Sequence, residues 1–206
     1  MHQNLTSAKM YILSGSVIYY RRRIMESLSS VKTKPLALRD LMLTLGGVAL
    51  LFAASQVEIP LKPVPINLQT VAVMLVGLTY TPRRALESHL VWLGLAAAGF
   101  PMLSGFSGGL TYMGGPTLGY LIGFVLASFF MATLKQKFSL GSWKSDMGLC
   151  IVGTLILYAC GVSWLTYLFG FTNALAFGVL PFIVPGIIKA GLLCTGLKIV
   201  RSYRKG

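Results

Sequence analysis

Acidic side chains are scarce in this sequence, and their positions limit what the chain can do. Its 206 residues include five Asp and Glu against 18 Lys and Arg, and only 11% of residues are charged, whereas soluble domains have roughly a quarter. A catalytic site or a proton relay inside a membrane needs reactive side chains within the apolar segments. We therefore disfavour a membrane-embedded enzyme. Each acid lies at or beyond the end of an apolar segment: Glu26, Asp40, Glu58, Glu87 and Asp146.

Sequence patterns for nucleotide and metal binding are also missing. The stretch GLLCTGLK, residues 191–198, resembles a phosphate-binding loop but has Leu197 where that loop requires lysine, so we do not expect ATP binding. His89 follows Glu87 closely and is predicted to be a partly solvated histidine at the membrane boundary. Because the cysteines form no C-x-x-C pair, we predict packing residues rather than a metal site or a disulfide framework. The cysteines are Cys150, Cys160 and Cys194.

Apolar residues, in contrast, are abundant. They make up 55% of the chain, and the mean hydropathy is +0.73. A membrane helix needs about 20 mostly apolar residues. The uncharged run over residues 147–188 is too long for one span, and the turn-forming GFTN at residues 170–173 divides it. We therefore predict an all-α membrane protein with six transmembrane helices, near residues 41–57, 66–80, 86–100, 118–134, 148–169 and 174–200.

The distribution of basic residues predicts the orientation of these helices. With six spans, sixteen of the 18 Lys and Arg fall on one side, Lys62 falls on the other, and Lys189 lies inside a span. Loops rich in Lys and Arg remain in the cytoplasm, so both termini are predicted to be cytoplasmic. The positive charge is then a topology signal, and no nucleic-acid partner is expected. Residues 1–35 are predicted to form a cytoplasmic tail, and residues 36–206 the membrane domain.

Two loops on the predicted outer side have unusual compositions. In the first, residues 58–70, prolines stiffen an extended segment and place Asn67, Gln69 and Thr70 at the start of the second span. The second, residues 99–117, is rich in glycine and has no charged residue. Non-helical backbone at membrane depth is tolerated where protein covers it or where it lines a cavity. We therefore expect this glycine-rich loop to fold over a ligand, with a re-entrant loop that only packs as the alternative.

Lys189 lies well inside the last predicted span, where a charged side chain is expensive. Insertion of a lysine there costs roughly 2.5 to 3.5 kcal/mol, and the spans offer no acidic partner. Snorkelling to the boundary is the alternative, but about ten residues, or roughly 15 Å of helix, separate Lys189 from Arg201. Pro181 and Pro185 precede it and would kink the helix. We therefore predict that Lys189 faces an anionic ligand.

Three stretches of the sequence resemble the BioY family, whose members are biotin-binding S subunits of energy-coupling-factor transporters. They are IPLKPVPINLQTVAVMLVGL from residue 59, GFPMLSGFSGGLTYMGGPTLGYLIGF from residue 99 and PFIVPGIIKA from residue 181. The likeness extends over about residues 36–200. It implies a six-helix protein of the bacterial cytoplasmic membrane that captures biotin from outside. It also implies a transmembrane coupling subunit and two cytoplasmic ATPases as partners. Biotin is then the transported substrate, and no cofactor, metal or enzymatic activity is implied.

Matching positions in these stretches extend the candidate binding site. Biotin has an apolar bicyclic body, a ureido group and a carboxylate, which suit a pocket of aromatic, amide and hydroxyl side chains with one cation. The aromatic candidates are Phe106, Tyr112, Tyr120, Trp164 and Tyr167. The candidate substrate-binding residues are Asn67, Gln69, Thr70, Phe106, Ser107, Gly108, Gly109, Thr117, Tyr120 and Lys189.

One departure from the family concerns the substrate. Members usually have an aspartate three residues before the lysine, and Gly186 occupies that position here. Residues three apart on a helix are neighbours, so the usual Asp–Lys pair is missing. An S subunit for a different small anionic vitamin therefore remains an alternative.

A pattern of small residues on the first span concerns partners. Ala49 and Ala53 are four residues apart, a spacing that allows close approach of helices. Packing within the bundle is one interpretation; the family resemblance favours docking to the coupling subunit. A purely structural membrane partner is a further alternative, although it would need neither Lys189 nor the glycine-rich loop.

Overall fold

The computed structural model describes residues 38–203, which are mostly helical, as predicted. The predicted N-terminal tail, residues 1–35, lies outside them. Two short strands form an antiparallel hairpin, β1 (Glu58–Ile59) and β2 (Ile66–Asn67), and a 3-10 turn covers Ser104–Phe106. The helices are α1 (Leu38–Gln56), α2 (Gln69–Thr79), α3 (Pro82–Ala97), α4 (Leu110–Met113), α5 (Leu118–Lys137), α6 (Trp143–Phe169), α7 (Phe171–Gly178) and α8 (Leu180–Tyr203).

Four segments of the described chain are long and apolar enough to cross a membrane. They are α1, α5, α6 and the α7–α8 segment, Phe171–Tyr203. The second and third predicted spans correspond to shorter helices, since α2 has 11 residues and α3 has 16. The sixth predicted span is broken at Val179, where the backbone leaves the helical conformation between α7 and α8. The helical membrane architecture therefore stands, while six crossings and cytoplasmic termini remain predictions.

Tyr120 on α5 is the point at which three helices meet. Its hydroxyl donates a hydrogen bond to the carbonyl of Gly178 on α7, at 2.6 Å. Its ring lies against Gly161 on α6 and Gly178, and a Cβ atom at either glycine would collide with the tyrosine. Interiors this closely packed do not accept extra atoms without rearrangement. One aromatic ring and two glycines therefore fix the position of α7 relative to α5 and α6.

A buried acid joins the helices at one end of the bundle. Asp146, in the first turn of α6, is fully buried and accepts hydrogen bonds from Lys135 on α5, at 3.0 Å, and Arg201 on α8, at 2.5 Å. The acid sits at a helix N-terminus and the cations near helix C-termini, which is the arrangement that helix dipoles favour. We call this end, formed by Lys135, Asp146 and Arg201, the basic end.

His89 lies within the bundle, so the prediction of a partly solvated histidine is wrong. Its side chain is fully buried on α3. Its Nδ1 lies 2.8 Å from the carbonyl oxygen of Ala85 and 3.2 Å from the Oγ of Ser128 on α5. Glu87, two positions earlier, instead pairs with Arg83 at the surface. Successive helical residues are about 100° apart, so the exposed Glu87 and the buried His89 face nearly opposite directions.

The opposite end carries the hairpin and the glycine-rich loop, and we call it the loop end. Gln56, the last residue of α1, donates from Nε2 to the carbonyl of Leu103 at 3.1 Å and accepts at Oε1 from the backbone N–H of Phe106 at 3.0 Å. Ser55 and Trp92 both donate to the carbonyl of Met102, at 3.0 Å. These bonds pair two carbonyls and one N–H of the loop backbone and hold this part of the loop over the helices.

Candidate substrate-binding site

A small cavity lies under the covering segments of the loop end. It has a volume of about 50 Å³, and its walls come from α2, α5, α8, the hairpin and the glycine-rich loop. Aromatic, amide, hydroxyl and ammonium groups contribute to the same walls. The lining residues are Val64, Pro65, Asn67, Gln69, Thr70, Leu103, Ser104, Tyr112, Thr117, Tyr120, Leu121, Phe124, Phe182 and Lys189.

Two amide side chains form the polar side of this cavity. Asn67 donates from Nδ2 to the Oγ of Ser104 at 2.8 Å and to the Oε1 of Gln69 at 3.2 Å. The Oδ1 of Asn67 accepts from the backbone N–H of Gln69, at 3.1 Å. Gln69 is almost fully buried, and its Nε2 has no hydrogen-bond partner among residues 38–203. A buried donor without a partner is costly, which makes this nitrogen of a lining residue a candidate donor to a ligand.

Lys189 brings the only charged group among the lining residues. Its Nζ donates to the carbonyl oxygen of Asn67, at 2.6 Å, and thus joins α8 to the hairpin. Its partner is therefore a neutral carbonyl and not an acid. A carbonyl solvates the ammonium group but does not neutralise its charge, so the lysine can still attract an anion.

Six of the ten residues predicted for the site line the cavity: Asn67, Gln69, Thr70, Thr117, Tyr120 and Lys189. The lysine and Asn67 are 122 positions apart in sequence and in direct contact. Tyr120 contributes its ring, and its hydroxyl proton is already donated to the carbonyl of Gly178. These six residues, predicted from separate parts of the sequence, therefore lie around one cavity.

The other four predicted residues, Phe106 to Gly109, lie outside the lining. Phe106 is 66% exposed and meets Phe52 edge-on. Gly108 packs so closely on the carbonyl of Phe100 that a Cβ atom would overlap it. Gly109 has a φ of 86° and donates its N–H to the carbonyl of Ala96 at the end of α3. This segment thus uses its glycines to approach protein backbone, and a direct ligand contact by these four residues stays a prediction.

Of the aromatic candidates, some line the cavity and others do not. Tyr112 and Tyr120 line the cavity. Trp164 donates instead to the carbonyl of Gly115, at 2.9 Å, and Tyr167 is largely exposed. Ser104 and Phe182 line the cavity but were not predicted. Ser104 lies three residues before the Ser107 motif, whereas Phe182 is one apolar residue among many on its helix and carries no distinguishing signal.

Gly186 lines a different cavity from Lys189. It lines a groove between α6 and α8, where a Cβ atom at residue 186 would lie 3.9 Å from the hydroxyl of Tyr158. Residue 186 is therefore not among the lining residues of the loop-end cavity.

Ala49 and Ala53 are both exposed on α1. Ala53 also lines a shallow apolar groove between α1 and α2, together with Leu50 and Leu75. Packing among residues 38–203 therefore does not account for these two alanines, whose face of α1 is exposed in this part of the chain.

Comparisons with known proteins agree with these observations. A family model described as the BioY family matches residues 25–205. A protein of Rickettsia prowazekii named probable biotin transporter BioY is 33% identical over 188 residues, which are 91% of this chain and 94% of that protein. One of Pyrococcus horikoshii with the same name is 40% identical over 143 residues, covering 69% and 84%.

A solved structure shares the fold. The crystal structure of the S-component for biotin from an ECF-type ABC transporter is similar with a TM-score of 0.70. The match covers 84% of this chain and 95% of that one, at 24% sequence identity.

Proposed function

This chain belongs to the BioY family, and from that premise we propose that it takes up biotin as the substrate-binding S subunit of an energy-coupling-factor transporter. The observation that carries the proposal is the loop-end cavity, in which Lys189 and two amide side chains share walls with aromatic rings. Small-molecule sites typically combine apolar walls with a few polar groups that fix orientation. A biotin carboxylate, ureido group and bicyclic body find matching groups here.

Each part of biotin is assigned a partner. Lys189 pairs with the carboxylate through a charge-assisted hydrogen bond. The unpartnered Nε2 of Gln69 donates to the ureido oxygen, and the Asn67 side chain bonds the same group. The rings of Tyr120 and Phe182, whose centroids are 6.4 Å apart, pack against the bicyclic body.

Binding requires the cavity to widen. Its volume of about 50 Å³ is far below the roughly 300 Å³ of the smaller ligand pockets. Three contacts hold the walls together: Lys189 to the Asn67 carbonyl at 2.6 Å, Asn67 to Ser104 at 2.8 Å and Tyr112 to the Ser104 carbonyl at 3.4 Å. All three are hydrogen bonds; the two between neutral groups each contribute about 0.5 to 1.5 kcal/mol net, and the one donated by the Lys189 ammonium about 1.5 to 3 kcal/mol. Biotin can therefore replace them with its own polar groups at moderate cost.

The partners follow from the same proposal. A transmembrane coupling subunit docks on the exposed face of α1 that contains Ala49 and Ala53, and two ATPases drive transport from the cytoplasmic side. Small residues four apart allow close helix contact of this kind. The protein then resides in the bacterial cytoplasmic membrane with both termini inside.

Binding and uptake measurements test this function. We expect the purified chain to bind radiolabelled biotin with saturation, and cells to accumulate more biotin when coupling and ATPase subunits are also present. A panel of other small anionic vitamins should not displace biotin at equal concentration. Saturable binding of one of these vitamins, with none of biotin, would instead establish the alternative substrate that Gly186 leaves open.

A further inference from the structure

A second, larger cavity opens at the basic end of the bundle. It lies between the ends of α2, α5 and α8 and has a volume of about 530 Å³, which is within the usual range for small-molecule sites, roughly 300 to 1,000 Å³. Its polar lining groups are Thr79, Lys135 and Arg201, and its apolar walls include Leu78, Leu197 and Val200. The loop-end site uses none of these residues, so the proposed biotin function does not explain this cavity.

The charges around this basic cavity are arranged asymmetrically. Asp146 is fully buried behind the two cations and is not among the lining residues. Both of its carboxylate oxygens are bonded, one to Lys135 and one to Arg201. The cations are partly exposed, with side-chain exposures of 18% and 31%. Two positive groups therefore face the cavity, while the acid that balances one of them is hidden.

Both cations retain hydrogen-bonding capacity for another anion. Arg201 makes its contacts to Asp146 and to the carbonyl of Gly141 with the same nitrogen, Nη1. A guanidinium group has five N–H donors in a planar fork, and an ammonium group has three. Lys135 uses Nζ for one bond to Asp146. The pair can thus hold an oxyanion without giving up the bonds that fix the helices.

The apolar walls decide which kind of anion fits. Leu197 and Val200 lie on the same helix as Arg201, just before it, where the apolar sequence of α8 gives way to basic residues. Val200 is 55% exposed. An inorganic anion makes no favourable contact with apolar side chains. A phospholipid, in contrast, can place its phosphate on the cations and its acyl chains against the apolar walls. Basic pockets between membrane helices bind anionic lipid headgroups in this way.

We propose that the basic cavity binds an anionic phospholipid, with its phosphate on Lys135 and Arg201 and an acyl chain along Leu197 and Val200. The bound lipid adds negative charge to a site whose three ionised groups sum to one positive charge. It also bridges the ends of α5 and α8.

Native mass spectrometry of the delipidated full chain tests this site. Phosphatidylglycerol and phosphatidylcholine with identical acyl chains are titrated separately into the protein. A basic residue near a membrane surface contributes about 1 kcal/mol toward an anionic lipid, which corresponds to about fivefold in affinity. We expect phosphatidylglycerol to bind at least fivefold more tightly than phosphatidylcholine. Arg201→Gln and Lys135→Gln should each weaken phosphatidylglycerol binding about fivefold and weaken phosphatidylcholine binding less, because its choline group already offsets the phosphate charge.

The controls separate a built site from general surface charge. Lys144→Gln removes the same charge from an exposed position at the same end, outside the cavity, and should have no effect. Each single variant at the site leaves Asp146 one cation, and circular dichroism checks that the fold is retained. Equal weakening by Lys144→Gln would overturn the proposal, because the preference would then follow net charge.

Two further arms distinguish the source of the anion. Millimolar inorganic phosphate should not displace phosphatidylglycerol, and Leu197→Ser should weaken binding of the long-chain lipid. Full displacement by phosphate, or an unchanged affinity in Leu197→Ser, would mean that the cavity binds a free anion. An absence of lipid preference, together with loss of coupling-subunit capture in Arg201→Gln, would instead make the cavity a protein interface and the proposal wrong.

Discussion

The two ends of the bundle solve the problem of polar groups in a membrane protein in different ways. At the loop end, side chains and backbone groups form neutral hydrogen bonds, and the single lysine of the cavity rests on a carbonyl. At the basic end, a fully buried carboxylate binds two cations. Neutral bonds can be exchanged at about 1 kcal/mol each, whereas separating a buried ion from its partners costs several times more.

This difference assigns distinct mechanical roles to the two ends. We propose that the loop end opens to admit substrate, because the contacts that close its cavity are individually weaker than the buried ion pairs. The ion pairs of the basic end hold α5, α6 and α8 together while the loop end opens. An S subunit needs both properties, since it must admit a substrate without losing the arrangement of its helices. Four predictions test the contrast, from the largest effect to the smallest.

The largest effect is expected at Asp146. Asp146→Ala leaves Lys135 and Arg201 without their buried partner, which typically destabilises a protein by about 3 to 5 kcal/mol. Glu87→Ala removes the acid of an exposed pair, in which Arg83 is 78% and Glu87 32% exposed, and should cost at most about 0.5 kcal/mol. Chemical denaturation in detergent measures both. Similar losses of unfolding free energy in the two variants would show that the buried ion pairs stabilise the protein no more than the surface pair of Arg83 and Glu87.

Lys189→Ala tests the charge at the loop end. If Lys189 pairs with the biotin carboxylate, the substitution should cost about 2 to 5 kcal/mol of binding free energy, or roughly 30- to 3,000-fold in dissociation constant. An uncharged biotin amide should lose much less affinity, since it never engages the charge. Lys62→Ala, in the loop between β1 and β2, is the matched control and should leave both affinities unchanged. Equal losses for biotin and its amide would mean that Lys189 only positions the hairpin through Asn67.

Gly108→Ala tests the packing of the glycine-rich loop. A methyl group there overlaps the carbonyl of Phe100, and forcing such an atom into packed surroundings costs about 1 to 3 kcal/mol. Gly114→Ala adds the same atom in the same loop at an ordinary 3.4 Å from the nearest atom, so it should be neutral. Titration calorimetry with biotin should therefore show weakened binding for Gly108→Ala alone. If both variants bind like the unmodified chain, the loop does not shape the cavity.

The smallest perturbation tests which end faces outward. Thr111→Cys and Ser139→Cys place thiols at exposed positions on the loop end and near the basic end. Because Lys and Arg cluster with the basic end, an impermeant thiol reagent added outside intact cells should label Cys at 111 and not at 139. The chain without either substitution is the control for its native cysteines. Labelling of the Ser139→Cys variant alone would show that the basic end faces outward and that the predicted orientation is wrong.

Sequence reasoning predicted the features that depend on local chemistry. Apolar runs indicated the helices, and prolines followed by Asn67 and Gln69 indicated a polar start to α2 that does line the cavity. The lysine was predicted from its cost in an apolar segment. These signals are readable because each residue type is unusual in its own surroundings.

Features that depend on partners distant in sequence were not predictable in this way. Asp146 looked like a boundary acid, and its burial depends on Arg201, 55 positions later. Residues 106–109 lie outside the cavity because Phe106 packs against Phe52 and Gly108 packs against the carbonyl of Phe100. Neither contact can be read from the glycines themselves. Phe182 lines the cavity from the first turn of α8, just after the break at Val179, which apolar patterning does not reveal.

The contact of Tyr120 with Gly161 and Gly178 constrains how this sequence can change over time. Gly161→Ala should be harmful while the tyrosine is present, because the added methyl group meets the ring, and should become tolerable once residue 120 is smaller. Contacting positions of this kind have non-additive effects. The order of substitutions therefore matters at residue 161, where a smaller residue at 120 must come first, at the loss of the hydrogen bond to Gly178. Residue 178 stays restricted even then, because a Cβ atom there would also meet the Cδ1 of Leu165.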